Sequence, residues 1–123
     1  MEQKRNGAVS GLHIVGEIHT NHPPLLTNPD LVKDKISAII KKHQFKELHA
    51  FYYSFPNAGG YTGASVLSES HVCMHTWPEY NYLTLDVFIF NYTKDNTSWT
   101  RKVFDEIVEL FQPTEVKKRE INR

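Results

Sequence analysis

The chain has 123 residues, 40% hydrophobic and 23% charged, enough for a single domain over residues 1–123 with one core. Its 14 lysines and arginines balance 14 acids, so a polyanion or an anionic membrane surface finds no matching field, and neither nucleic acid nor membrane is expected as a partner. The single cysteine excludes an internal disulfide and fits a reducing, cytoplasmic setting. Met1–Asn6 lacks the apolar segment of a signal peptide, and no apolar run is long enough to span a bilayer. The basic run Lys117-Lys118-Arg119 reads as a solvated strand end.

Residues 1–10 are polar, and a frayed end is expected there. Over 11–19, Leu12, Ile14 and Ile18 alternate with His13, Val15 and Glu17, the pattern of a half-buried strand. Asn21-His22-Pro23-Pro24 predicts a loop. Asn28 and Pro29 then predict the cap and first residue of a helix that ends near His43, with Leu31, Val32, Ile36, Ile39 and Ile40 as its apolar stripe. A strand is expected over 46–55, a turn over Pro56–Gly60, and two further strands over 64–69 and 71–77. Residues 82–90 give the clearest strand signal. A second helix is expected from Thr97 to Pro113, with Trp99, Val103, Phe104, Ile107, Val108 and Phe111 facing inward, and a last strand over 114–121. Helices segregated from antiparallel strands predict an α+β fold, a two-layer sandwich with two helices on one face of an antiparallel sheet.

The densest chemistry lies in Leu67-Ser68-Glu69-Ser70-His71-Val72-Cys73-Met74-His75-Thr76-Trp77-Pro78-Glu79. A carboxylate, a hydroxyl, a thiol and two imidazoles stand in a run that otherwise reads as strand. Alternation puts His71, Cys73 and His75 on one face and Val72, Met74 and Thr76 on the other. Two classes of function fit these residues. One is catalysis at this segment. The other is a binding domain, or a metal module on the three ligands of one strand face; Cβ atoms about 7 Å apart make that spacing wide for one ion, and no metal is expected.

Ser68-Glu69-Ser70-His71 followed by His75-Thr76-Trp77-Pro78-Glu79 resembles the processing site of the prokaryotic S-adenosylmethionine decarboxylase proenzymes. The likeness extends upstream through Gly63–Leu67, downstream to Asp86-Val87-Phe88, and to Gly11–Glu17 as a first strand. It implies a pyruvoyl-dependent decarboxylase of polyamine and spermidine biosynthesis, made as a zymogen that cleaves itself between Glu69 and Ser70 into 1–69 and 70–123. Ser70 Oγ would attack the Glu69 carbonyl to form an ester. Elimination and loss of ammonia would leave a pyruvoyl group derived from Ser70, the electron sink that decarboxylation of an amino acid needs. His75 would take the Ser70 Cα proton, and Thr62, where the family has a serine, would assist the acyl shift. Glu79 and Phe55 would hold the substrate's ribose and adenine, Leu67 and Ser68 would line the pocket, and a homodimer of processed protomers is implied. The family's catalytic proton donor is a cysteine at the position of Phe90 here, which leaves Cys73 as the chain's thiol candidate for that role. With that change, the same scaffold acting on a basic amino acid, arginine or ornithine, is the alternative substrate reading.

Overall fold

The computed structural model describes residues 9–57, 59–92 and 94–123. Of the expected frayed end over residues 1–10, residues 1–8 lie outside that set, as does Ala58 in the predicted turn, while the Ser10 carbonyl accepts the Asn91 N–H at 2.8 Å. Strand β1 (Gly11–Thr20) is followed by a short helix α1 (Pro23–Thr27), a 3-10 turn (Pro29–Leu31) and helix α2 (Lys33–Lys42). Strands β2 (Glu47–Ser54), β3 (Tyr61–Leu67), β4 (Ser70–Trp77) and β5 (Tyr82–Phe90) come next, then helix α3 (Thr97–Leu110) and strand β6 (Pro113–Asn122). All strands join one antiparallel sheet in the order β2-β3-β4-β5-β1-β6. The expected α+β sandwich is the observed one, with α1 as a third, short helix.

The first helix starts later than its sequence promised. The Asn28 side chain does cap, accepting the Asp30 N–H at 3.1 Å, but it caps the 3-10 turn. The buried stripe is Val32, Ile36 and Ile40, while Leu31 stays exposed. Packing thus starts α2 at Lys33, with Val32 rather than Asn28 at its N-cap position. Upstream, Pro23 and Pro24 sit at the start of α1, where a proline's missing N–H costs no hydrogen bond, and the turn drives Leu26 into the core.

Alternation in the strands decides the two faces of the sheet. Leu12, Ile14, Ile18, Leu67, Val72, Met74, Leu83, Leu85, Val87 and Ile89 are buried against Ile36, Ile40, Val103, Phe104, Ile107 and Phe111 of the helices. Gly16 lets α3 come close: a Cβ there would stand 2.6 Å from the Phe104 ring. Gly16→Val is therefore expected to destabilise the fold by about 1–3 kcal/mol through overpacking, read as a lower melting temperature. The opposite face carries no helix among the described residues. It presents His13, His71, Cys73, His75, Asp86 and Phe88, with Phe51, Tyr53, Val66, Trp77 and Ile121 exposed. No helix is long and apolar enough to cross a membrane among the described residues.

Candidate active site

Strands β3 and β4 form a hairpin whose link is Ser68-Glu69. Neither residue has positive φ, so the link is not one of the tight primed turns that two-residue hairpins favour. The paired register ends at Val66–His71, which leaves Leu67 and Ser70 beyond the ladder. Ser68 and Glu69 are exposed and Ser70 half-buried, so the Glu69–Ser70 peptide stands at an accessible tip.

Leu67, Ser68, Glu69, Ser70 and Phe90 line one cavity of about 170 Å³. The α2–β2 connection closes one side with Lys46, and the segment after β5 adds Tyr92 and Lys94. These cationic and phenolic neighbours were not singled out in the sequence, because only the return of two connecting segments to the hairpin tip brings them there.

A second cavity, of about 320 Å³, gathers Phe55, Thr62, His75, Trp77 and Glu79. Thr62 and His75 are register partners across β3 and β4, and the Thr62 hydroxyl lies 3.0 Å from His75 Nδ1. The β3–β4 frame beneath them is fixed by buried polar pairing. The Tyr61 N–H donates to Thr76 Oγ1 at 2.9 Å, and that hydroxyl donates to the Leu26 carbonyl at 2.7 Å. The Tyr61 hydroxyl donates to the Leu25 carbonyl at 2.8 Å, and burial pushes its pKa up. Gly60 allows the approach, since a Cβ there would meet the Thr76 carbonyl at 2.7 Å.

The sequence-predicted residues therefore fall into two groups at opposite ends of one hairpin. Ser70 and His75 are five residues apart on an extended strand, a separation of about 16 Å. Within one chain the structure does not bring His75 to Ser70. Cys73 belongs to neither group. It faces the open side, paired in register with Asp86, in a third cavity of about 500 Å³ that it shares with Glu17, His75, Thr84 and Arg119. Burial, with the Asp86 charge second, raises its pKa, so the sulfur is a thiol at neutral pH, able to donate a proton but not poised as a nucleophile. His71, Cys73 and His75 do not close into a ligand set; the imidazole of His71 instead approaches His13 and Asp86.

The family model described as S-adenosylmethionine decarboxylase matches residues 12–123. A protein of Archaeoglobus fulgidus called S-adenosylmethionine decarboxylase proenzyme is 32% identical over 105 residues, covering 85% of this chain and 89% of that one. A Hydrogenobaculum protein with the same name is 31% identical over 113 residues, covering 92% and 81%. The crystal structure of the adenosylmethionine decarboxylase of Aquifex aeolicus superposes with a TM-score of 0.80 over 93% of this chain and 90% of that one; at 23% identity it bears on the fold.

Proposed function

Because this chain belongs to the S-adenosylmethionine decarboxylase family, we propose that it cuts itself between Glu69 and Ser70 and works as a pyruvoyl-dependent decarboxylase in polyamine synthesis, as a dimer whose sites are shared between protomers. The observation that carries the reading is the division of the candidate residues into two cavities at opposite ends of β4. A two-fold axis perpendicular to β4 would reverse the second strand and so set the Ser70 end of one protomer against the His75 end of the other. The open sheet face, with Phe51, Tyr53, Val66, Trp77 and Ile121 exposed, supplies the apolar surface such a dimer needs.

The residues present fit a pyruvoyl group. Ser70 stands at an accessible hairpin tip beside a cavity, and the bond before it lies beyond the last β3–β4 register pair, while Ser70 itself stays paired with Ile89 of β5. Once formed, the group would supply the electron sink that amino-acid decarboxylation requires. Ser70 Oγ delivers the attack on the Glu69 carbonyl. The partner's Thr62–His75 pair then accepts the Ser70 Cα proton, with the Thr62 hydroxyl fixing the imidazole. Leu67 and Ser68 wall the pocket next to the cut.

S-adenosylmethionine is the preferred substrate. Phe55 and Glu79 share the second cavity, which suits an adenine to stack and a ribose diol to hold. The reading for arginine or ornithine rests on the same Glu79, which can pair with a guanidinium or ammonium. Phe90 lines the Ser70 cavity and offers no proton, so a different acid must complete the reaction. Intact mass should show two fragments, with a ketone in place of Ser70. Carbon dioxide release measured side by side with S-adenosylmethionine, arginine, ornithine and lysine should single out the first. An uncut chain overturns the enzyme reading, and turnover of arginine or ornithine alone overturns the substrate choice.

Glu79→Gln tests the grip. It should lower kcat/KM by about 10- to 100-fold, mostly through KM, because hydrogen bonds to a charged acceptor are lost while the cut is untouched.

A further inference from the structure

The open face holds a constellation that the decarboxylase reading does not use. His13 on β1, His71 on β4 and Asp86 on β5 come from three adjacent strands, and one ligand atom from each lies within 4.8 Å of the others. Ladder register places them. His71 and His13 flank Phe88 from opposite sides, and Asp86 is the next residue of β5 on the same face. The two imidazoles meet edge to face, with centroids 5.8 Å apart. His13 Nε2 and Asp86 Oδ1 are hydrogen-bonded. His13 is mostly buried, with 15% of its side chain exposed.

We infer that His13, His71 and Asp86 form a binding site for one divalent transition-metal ion, with zinc as the fitting class. Two imidazoles and one carboxylate on a rigid frame, with a fourth position open to water, match that ion's donor preference. Metal–ligand bonds of about 2.0–2.2 Å put ligand atoms about 3.3–3.6 Å apart. The three ligand atoms already lie within 4.8 Å of one another, with His13 and Asp86 in direct contact, so the adjustment an ion requires is one of side chains.

Arg123 acts as a gate on this site. Its backbone is tied to Gly11 by two hydrogen bonds, of 2.7 and 2.9 Å, and its guanidinium lies 4.7 Å over the Phe88 ring. Its Nη1 stands 3.1 Å from His13 Nδ1 and donates there, which leaves the ring proton on Nε2, directed at Asp86. A metal on Nε2 needs that proton on Nδ1 instead. Arg123 must turn away as the ion enters, and its charge opposes the ion until it does.

The site stands independently of the pyruvoyl reading, because it uses none of the residues assigned there. The test is a titration of the chelator-stripped protein with Co2+, followed by the visible bands of the bound ion, then displacement by Zn2+. One equivalent is expected, with tighter binding in Arg123→Ala. Asp86→Asn and His71→Ala should each weaken binding by at least about 100-fold, since loss of an outer-shell partner alone costs about 10- to 100-fold. Cys73→Ala should bind as the parent does. Circular dichroism checks that each variant is folded, and His13→Gln repeats the test at the third ligand if one of them is not. Zn2+ should also raise the melting temperature of the parent and not of Asp86→Asn. The proposal is overturned if neither the parent nor Arg123→Ala yields a cobalt spectrum at millimolar ion. Binding that survives Asp86→Asn and His71→Ala, or is lost in Cys73→Ala, overturns it equally.

Discussion

Ser70→Ala is expected to yield a single uncut chain without decarboxylase activity. Alanine has no oxygen to attack the Glu69 carbonyl and nothing to eliminate, so neither the cut nor the ketone can arise. The whole rate enhancement goes with them, at least about a million-fold for an enzyme of ordinary proficiency. The fold should persist, since residue 70 is half-buried and lies beyond the last register pair of β3 and β4. Intact mass, carbon dioxide release and a melting curve on one preparation check all three. A cut chain in this variant would remove Ser70 from the mechanism.

The second large effect is a rescue. His75→Ala alone should remain uncut or stall at the ester, which hydroxylamine would cleave. Ser70→Ala alone cannot be cut. Co-expressed and separately tagged, the two should form hybrid dimers in which the His75→Ala chain supplies Ser70 and its partner supplies the Thr62–His75 pair. Cleavage should appear in the His75→Ala chain only, and only in the mixture. About 16 Å of strand within one chain makes that outcome all-or-none. Cleavage of His75→Ala without a partner would show that His75 has a different role. No cleavage in the mixture, with hybrids demonstrated by pull-down, would return both residues to one protomer.

Much of the fold was legible because its signals are local. The alternation in Tyr82–Phe90 states both the strand and its buried face, and the structure keeps those bounds. Helix α3 follows its inward stripe at Val103, Phe104, Ile107 and Val108, whereas Trp99, also expected to face inward, stays exposed. The start of α2 was not legible. Asn28 is a sound cap by chemistry, but tertiary packing chose the stripe that begins at Val32.

For the site, residue types could be read and partners could not. Ser70 and His75 look adjacent in sequence, yet extended backbone carries them to opposite ends of β4. Thr62 and His75 are 13 residues apart and meet only because the hairpin register pairs them. His13 and Asp86 are 73 residues apart. Each stood in a stretch already marked by the family likeness, but nothing local states that β1 and β5 are neighbours.

The order β2-β3-β4-β5-β1-β6 has a consequence for a chain cut at residue 69. The front piece would own β1, β2 and β3, and the back piece β4, β5 and β6. Ownership then changes three times across the sheet, with β1 of the front piece enclosed between β5 and β6 of the back piece. The ladders β3–β4, β5–β1 and β1–β6 all join one piece to the other, so the halves cannot drift apart without dismantling the sheet. Assembly changes character at the same moment. Before the cut, closing those ladders is an intramolecular event helped by the connecting chain. After it, refolding needs two separate pieces to meet, and its rate depends on their concentration. In a chain so cut, the covalent link would serve to build the sheet once; what remained would be held kinetically, and heat or denaturant would erase a shape that the separated pieces rebuild poorly.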